Sequence, residues 1–372
     1  LATDRESFYS AIEDFKAPGQ NFAMIARDGD IAIRHNGKYP LRGQDQGKFV
    51  RAGQDTIGEW QAWIPYEQLP TISNPWSGYV SSANQNPVGK KYPYYLGWDY
   101  DDYERGSRIN DRLEELSKIK FGDMQDLHMD NFNKQAELIL PFLLKQHDMK
   151  NNSGDMESIL KDLNSWNYVS DPHEKAAWIY KQWWLRLEKA IWNDELNLLG
   201  EVRKIPTRSV TAKLLLNKRK LTYYDDINTP EQEGRSEIIN RAFSQTILEL
   251  TDELGPYGEA WELGKARGTD INHLLSVKGL GRTGLYTGGG QGIVNATKKD
   301  HGPSWRMLVE MGDRPTAKGI FPGGQSGNPG SPYYDNAVND WVAGKYFDIH
   351  FLDSTDIDSH SKLSLTRLRN YQ

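Results

Sequence analysis

The chain has 372 residues, with 45 Lys plus Arg against 51 Asp plus Glu, a formal net charge of −6 and no cysteine. That balance argues against a surface built to collect phosphate backbones, and the missing thiols exclude disulfide frameworks, thiolate zinc sites and cysteine nucleophiles. Mean hydropathy is −0.72 and no apolar run approaches the roughly 18 residues of a membrane span, so neither nucleic acid nor membrane is an expected partner, and the length suits two domains or one composite core.

The first residues, Leu1-Ala-Thr-Asp-Arg-Glu, carry neither an initiator Met nor a basic-then-apolar leader, which reads as an end made by cleavage or truncation. Glu6 to Phe15 has the spacing of a short helix. Asn21 to Lys38 reads as two strands joined at Asp28-Gly29, a strong hairpin signal. From Tyr39 to Tyr103 the chain is rich in Pro, Gly and aromatics, the texture of ordered loop that carries sites. Within it, Asn74-Pro-Trp-Ser-Gly-Tyr-Val-Ser-Ser-Ala-Asn84-Gln-Asn-Pro87 reads as a short strand ending in amides. Such amides either form turns or serve as neutral donors to a developing oxyanion. The acidic run Asp99-Tyr-Asp-Asp-Tyr-Glu104 lacks the spacing of an EF-hand and is expected to be a solvated loop or to pair with Arg105 and Arg108.

Between about 107 and 255 the apolar period becomes helical, with helices expected over 107–116, 124–146 and 156–164. Asp171-Pro-His-Glu reads as a cap for the Trp-rich run from Ala176 to Trp192, and Thr229-Pro-Glu-Gln as a cap for the helix carrying Ile239, Phe243, Ile247, Leu250 and Leu254, stopped by Gly255-Pro256. Trp and Tyr at this spacing belong to a core more readily than to a sugar-stacking face. After Gly279 the texture reverts to strand and turn. Tyr286 to Ala296 reads as a glycine-rich bend running into a strand, and Ser304 to Met311 as a buried strand. Half of the residues from Gly319 to Tyr334 are Gly or Pro, so turns must hold that segment.

Three familiar strings fail on context. Gly279-Leu-Gly-Arg-Thr-Gly284 spells a dinucleotide fingerprint but leads into further glycines instead of a helix. Ser158-Ile-Leu-Lys161 lacks the Lys-Thr-Gly partner of a β-lactamase. The histidines, His128 and His301 among them, lack the pairing of a zinc site.

A collinear set of segments resembles the penicillin acylase (penicillin amidase) family of N-terminal-nucleophile hydrolases. These are Pro18-Gly-Gln-Asn-Phe with Asp28-Gly-Asp-Ile-Ala, Gly37-Lys-Tyr-Pro-Leu-Arg, Asn74-Pro through Ala83-Asn84-Gln-Asn-Pro87, and Gly97-Trp-Asp-Tyr with Tyr103-Glu-Arg105-Gly-Ser-Arg-Ile109. Gly302-Pro-Ser-Trp-Arg-Met, Pro322-Gly-Gly-Gln-Ser-Gly-Asn-Pro-Gly-Ser-Pro-Tyr-Tyr334, and Asp340-Trp341 with Gly344-Lys-Tyr complete the order. The resemblance implies an α+β fold, part of a four-layer αββα core with a large helical insertion. Residues 1–120 would begin the core and carry the active-site loops, 121–284 would be the insertion, and 285–372 would return to the core sheets.

Family members are made as precursors that cut themselves into an α chain and a β chain whose new N-terminal serine is the nucleophile, with its own α-amine as base. On that pattern Asn84 takes the place of the oxyanion asparagine, and Arg105 that of the arginine that orients the nucleophile's surroundings and the substrate's polar end. Leu1 would then fall inside the β chain. The expected partners are the α chain and the N-terminal part of the β chain carrying the nucleophilic serine, and this chain alone would be inert. Substrates in the family are small-molecule linear amides: penicillins, cephalosporin side chains and N-acyl homoserine lactones. No cofactor is certain; the family allows Ca2+ in the complete enzyme, with Asp99 or Asp101 as the only local candidates, and implies a periplasmic or secreted protein. Two rivals stand beside this reading: a non-catalytic carbohydrate- or peptide-binding module using Trp and Tyr, and an inactive structural member of the family.

Overall fold

The computed structural model describes residues 2–54, 59–60, 62–146, 154–198, 200, 205–217 and 222–351, in two compact units that divide between Pro303 and Ser304. In the first unit, α1 (Arg5–Ile12) starts at Asp4, whose side chain accepts the Ser7 N–H in a capping box. Strands β1 (Gln20–Ile25) and β2 (Ile31–Asn36) form the expected antiparallel hairpin, with Gln20 opposite Asn36 and Ile25 opposite Ile31. Gly29 supplies the positive φ of 96° that the turn requires. Strand β3 (Thr71–Ser73) adds antiparallel to β2, giving the order β1-β2-β3.

The alternation along β2 decides what each face does. Ala32, Arg34 and Asn36 are buried, while Ile31, Ile33 and His35 are only half-buried. Asn36 Nδ2 donates to the carbonyls of Ile12 and Phe15, and the Arg34 guanidinium lies over the rings of Tyr9 and Tyr66, tying α1 and the long loop to this face. The strand expected just before Asn84 does not form. Asn74, at φ 45°, turns the chain out of the sheet and its Oδ1 accepts the Ile31 N–H at 2.9 Å, so residues 79–87 continue as irregular loop.

The helices that follow are α2 (Glu104–Glu115), α3 (Phe121–His128), α4 (Lys134–Gln146), α5 (Asp155–Ser165), α6 (Lys175–Asn197), α7 (Arg208–Leu216), α8 (Arg235–Leu254) and α9 (Leu263–Arg267). The run read as one helix over 124–146 is split into α3 and α4. Asp130 causes the break: its carboxylate accepts the Phe132 N–H and is gripped by Arg108, while Asn131 and Asn133 pair with the backbone near Tyr168 and Ser170. Both expected caps are also displaced. Asp171 accepts from Asn131 instead, and α6 starts at Glu174 with no side-chain cap. Thr229 closes a separate turn on Asp226, leaving α8 to start at Gly234. Gly255, at φ 79°, ends α8 as expected.

The Trp-rich run is core. Tyr180, Trp183, Trp184, Leu187 and Ile191 of α6 are buried in the helical core, and Trp183 packs on α8, 4.6 Å from Phe243 ring to ring, donating Nε1–H to the Ile239 carbonyl. These rings offer no sugar-stacking face. Past α9, β4 (Thr269–Ile271) and β5 (Arg282–Leu285) form a two-stranded antiparallel sheet. The strand expected after the glycine-rich bend is absent among the described residues. The Gly290 N–H turns back to the Asn295 carbonyl and the Asn295 N–H reaches the Asp130 carbonyl, so the segment is a turn, and the buried Arg267 guanidinium collects the flanking carbonyls of Thr287, Gly288, Gly289 and Thr297.

The second unit has the antiparallel sheet β6-β7-β8, made of β6 (Arg306–Glu310), β7 (Thr316–Ile320) and β8 (Phe347–Ile349), with the short helix α10 (Val338–Val342). The expected strand within 304–311 is β6. Beyond β7 the Gly/Pro-rich segment is held by turns, with the Ser326 N–H on the Tyr333 carbonyl and the Ala337 N–H on the Gly323 carbonyl.

Candidate active site

Asn84 stands in the irregular loop with a left-handed φ of 68°, a conformation Asn adopts more readily than most residues. Its backbone carbonyl accepts the Asp101 N–H at 3.1 Å. Arg105, in the first turn of α2, reaches back over this loop. Its Nη2 donates to the Ala83 carbonyl at 2.8 Å, to Asn84 Oδ1 at 2.7 Å and to Asp101 Oδ2 at 2.6 Å. The two residues singled out by resemblance are therefore brought into direct contact.

That contact settles which way the Asn84 amide faces. A guanidinium is only a donor, so the atom it meets must be the carbonyl oxygen, and the NH₂ group is turned the other way. Among the described residues, Asn84 Nδ2 makes no hydrogen bond. Asn84 is exposed, and a neutral donor oriented through its own carbonyl can serve a developing oxyanion.

Gln85, one of the amides read as turn formers or donors, folds back within the loop, and Gly106, which the sequence reading did not single out, lets α2 approach it. Gln85 Oε1 accepts the Ala83 N–H at 2.7 Å. A Cβ at Gly106 would lie 3.1 Å from the Gln85 amide, so the glycine lets the helix approach the loop this closely. The helix expected over 107–116 begins three residues earlier, at Glu104, and takes in this glycine. Ser81 Oγ ties the loop to α2, donating to Asn110 Oδ1 at 2.6 Å.

Asn84, Gln85 and Asp101 line a cleft of about 990 Å³ together with Asn21, His35 and Ser82. A hydrogen-bonded chain crosses its wall: His35 Nδ1 meets Asn21 Oδ1 at 2.8 Å, and Asn21 Nδ2 donates to Ser82 Oγ at 2.7 Å. Burial lowers the His35 pKa, favouring a neutral imidazole at pH 7. His35 comes from the half-buried face of β2, which only the pairing register identifies as facing this cleft.

The acidic run divides differently from expectation. Asp101 pairs with Arg105, but Arg108 turns to Asp130 at 2.8 Å, and Asp102 accepts from Ser209 Oγ at 2.5 Å. No group of three or more His, Asp or Glu side chains is arranged to hold a metal ion among the described residues. Asp101, one of the two local candidates for calcium, is taken up by Arg105.

Comparison with known proteins follows from this geometry. The sequence matches the family model described as penicillin amidase over residues 1–356. It is 23% identical over 386 aligned residues to the acyl-homoserine lactone acylase QuiP of Pseudomonas syringae pv. syringae, covering 92% of this chain and 45% of that protein. It is 24% identical over 340 residues to the penicillin acylase 2 proenzyme of Pseudomonas sp. SE83, covering 86% and 42%. The chain thus spans less than half the length of these relatives. Among solved structures, the thermostable penicillin G acylase of Alcaligenes faecalis superposes with a TM-score of 0.65 at 16% identity, covering 100% of this chain and 71% of the other. That likeness shows a shared mixed α and β fold, the N-terminal-nucleophile hydrolase fold.

Proposed function

The chain belongs to the penicillin amidase family, and from that premise we propose that it supplies the oxyanion-holding loop of an amidohydrolase that cleaves linear amides through an acyl-enzyme. The nucleophile in this reading is an N-terminal serine carried outside this sequence, with its own α-amine as base. As the serine oxygen adds to the amide carbon, negative charge gathers on the carbonyl oxygen, and Asn84 Nδ2 donates to it. Arg105 acts through Asn84: its charge behind Oδ1 polarises the amide and keeps the NH₂ pointing at the reacting carbonyl oxygen. Collapse of the tetrahedral intermediate expels the amine with the proton first taken from the serine, and water then hydrolyses the ester to free acid and serine.

The observation that carries this reading is the 2.7 Å contact between Arg105 Nη2 and Asn84 Oδ1 on the wall of the cleft. The printed names of the relatives support small N-acyl substrates of the penicillin or N-acyl homoserine lactone kind, and the word proenzyme supports maturation by cleavage into partner chains. Export to the periplasm or medium belongs to the same proposal. The test is an assay of the complete gene product on phenylacetyl, phenoxyacetyl and long-chain acyl amides and on N-acyl homoserine lactones. Release of free acid from one of them, with the acyl group trapped on an N-terminal serine, is expected. A mature protein that hydrolyses no linear amide overturns the reading.

A further inference from the structure

Helix α7 has no marked signal in the sequence, yet its first two residues hold the acidic loop in front of α2. Ser209 Oγ donates to Asp102 Oδ1 at 2.5 Å, and the Arg208 guanidinium stands 3.9 Å from Asp102 and 3.8 Å from Glu104. Glu104 is buried, with a side-chain exposure of 2%, and Asp102 is half-buried at 12%; Glu104 Oε2 has no hydrogen-bond partner. Burial pushes the Glu104 carboxyl up, Asp102 and Asp101 push it further, and Arg208 is the main opposing influence. Arg208 is itself gripped: Nη1 donates to the Gln291 carbonyl at 2.9 Å, and a Cβ at Gly292 would collide with the guanidinium.

Arg105 therefore follows a run holding four carboxylates, Asp99, Asp101, Asp102 and Glu104. A single guanidinium cannot neutralise Asp101, Asp102 and Glu104 together and also hold an amide carbonyl. We propose that Arg208 is a positioning residue of the site: by compensating Asp102 and Glu104 from α7, it leaves Arg105 to hold Asn84 Oδ1. The proposal rests on the oxyanion role of Asn84. Without the Arg208 charge, the buried Glu104 and the half-buried Asp102 lack compensation, a costly state, and Arg105, next to Glu104 in the chain and already paired with Asp101, is the cation expected to be drawn away from Asn84.

The experiment uses the complete gene product and steady-state kinetics on one hydrolysed amide. Arg208→Met is expected to lower kcat by about 10- to 100-fold while KM shifts by less than about threefold, because only a transition-state contact is disturbed. Arg208→Lys retains most of kcat. Adding Glu104→Gln to Arg208→Met removes the uncompensated charge and restores kcat toward wild type, a recovery that lost packing alone would not give. An unchanged kcat in Arg208→Met, or no recovery in the double variant, overturns the inference. If Arg208→Met does not accumulate as folded protein, the double variant decides alone: kcat within about threefold of wild type supports the inference and a tenfold loss overturns it. Asn84→Ala is measured alongside. Wild-type turnover there sinks the oxyanion reading itself, whereas a slow Asn84→Ala beside a fast Arg208→Met sinks only the role of Arg208.

Discussion

Arg105 Nη2 holds Asn84 at two points, its side-chain Oδ1 at 2.7 Å and the preceding carbonyl, that of Ala83, at 2.8 Å. One guanidinium thus fixes both the path of the loop and the orientation of the amide. The ion pair with Asp101 is half open to solvent on the Asp101 side, so its own contribution to stability is small. What Arg105 provides is direction.

Lysine at 105 keeps the charge but not the planar fork, and a flexible ammonium cannot fix the amide as a guanidinium does. Arg105→Lys is expected to lower kcat by about 10- to 100-fold with little change in KM. Steady-state kinetics on the complete gene product check this, and an unaltered kcat would show that Asn84 needs no holding.

Gly106 gives a test that separates helix propensity from contact. In a helix Ala is normally favoured over Gly by about 1 kcal/mol, but here the added Cβ would lie 3.1 Å from the Gln85 amide, which must shift and is expected to weaken its bond to Ala83. Gly106→Ala is expected to destabilise the protein by about 1 kcal/mol. In a Gln85→Ala background the same change should be neutral or stabilising. Denaturant melts of the four proteins give the coupling, and additive effects would show that the close approach carries no constraint.

Glu188, on α6, is pushed up to about 7 by burial, from an ordinary 4.5. Between those values the folded protein keeps a proton that the unfolded chain has released. Unfolding free energy therefore falls as pH rises through this window, by roughly 3 kcal/mol, and levels off above it. Glu188→Gln should reduce the slope between pH 5 and 7, as read from thermal midpoints, with Glu195, also pushed up to about 7 by burial, supplying what remains. An identical slope in the variant would place the pH dependence elsewhere.

Trp183 is fully buried between α6 and α8 against Phe243. Trp183→Ala is expected to cost about 3–5 kcal/mol, measured by denaturant unfolding. A loss below about 1 kcal/mol would mean that the site repacks freely.

Local signals carried a good part of this fold. Asp28-Gly29 announces its hairpin because the turn needs a residue at φ 96°, and the apolar period of α6 and α8 is long enough to be unambiguous. Features decided by distant partners were not legible. Asp171 and Thr229 look like helix caps until Asn131 and Asp226 claim them. The strand expected after the glycine-rich bend gives way to a turn because the Asn295 N–H goes to the carbonyl of Asp130, far back in the chain. At the site, Asn84 and Arg105 were found through the family's motif order, not through any local pattern. The link from Asp102 to Ser209 spans 107 residues, and nothing in either segment hints at the other.

The central claim is that Asn84 Nδ2 stabilises the oxyanion, and replacing that one side chain tests it most directly. In the complete gene product, Asn84→Ala should slow acylation by two to three orders of magnitude, about 3–4 kcal/mol of transition-state stabilisation, with the thermal midpoint unchanged. An acylation rate equal to that of the wild type would contradict the account.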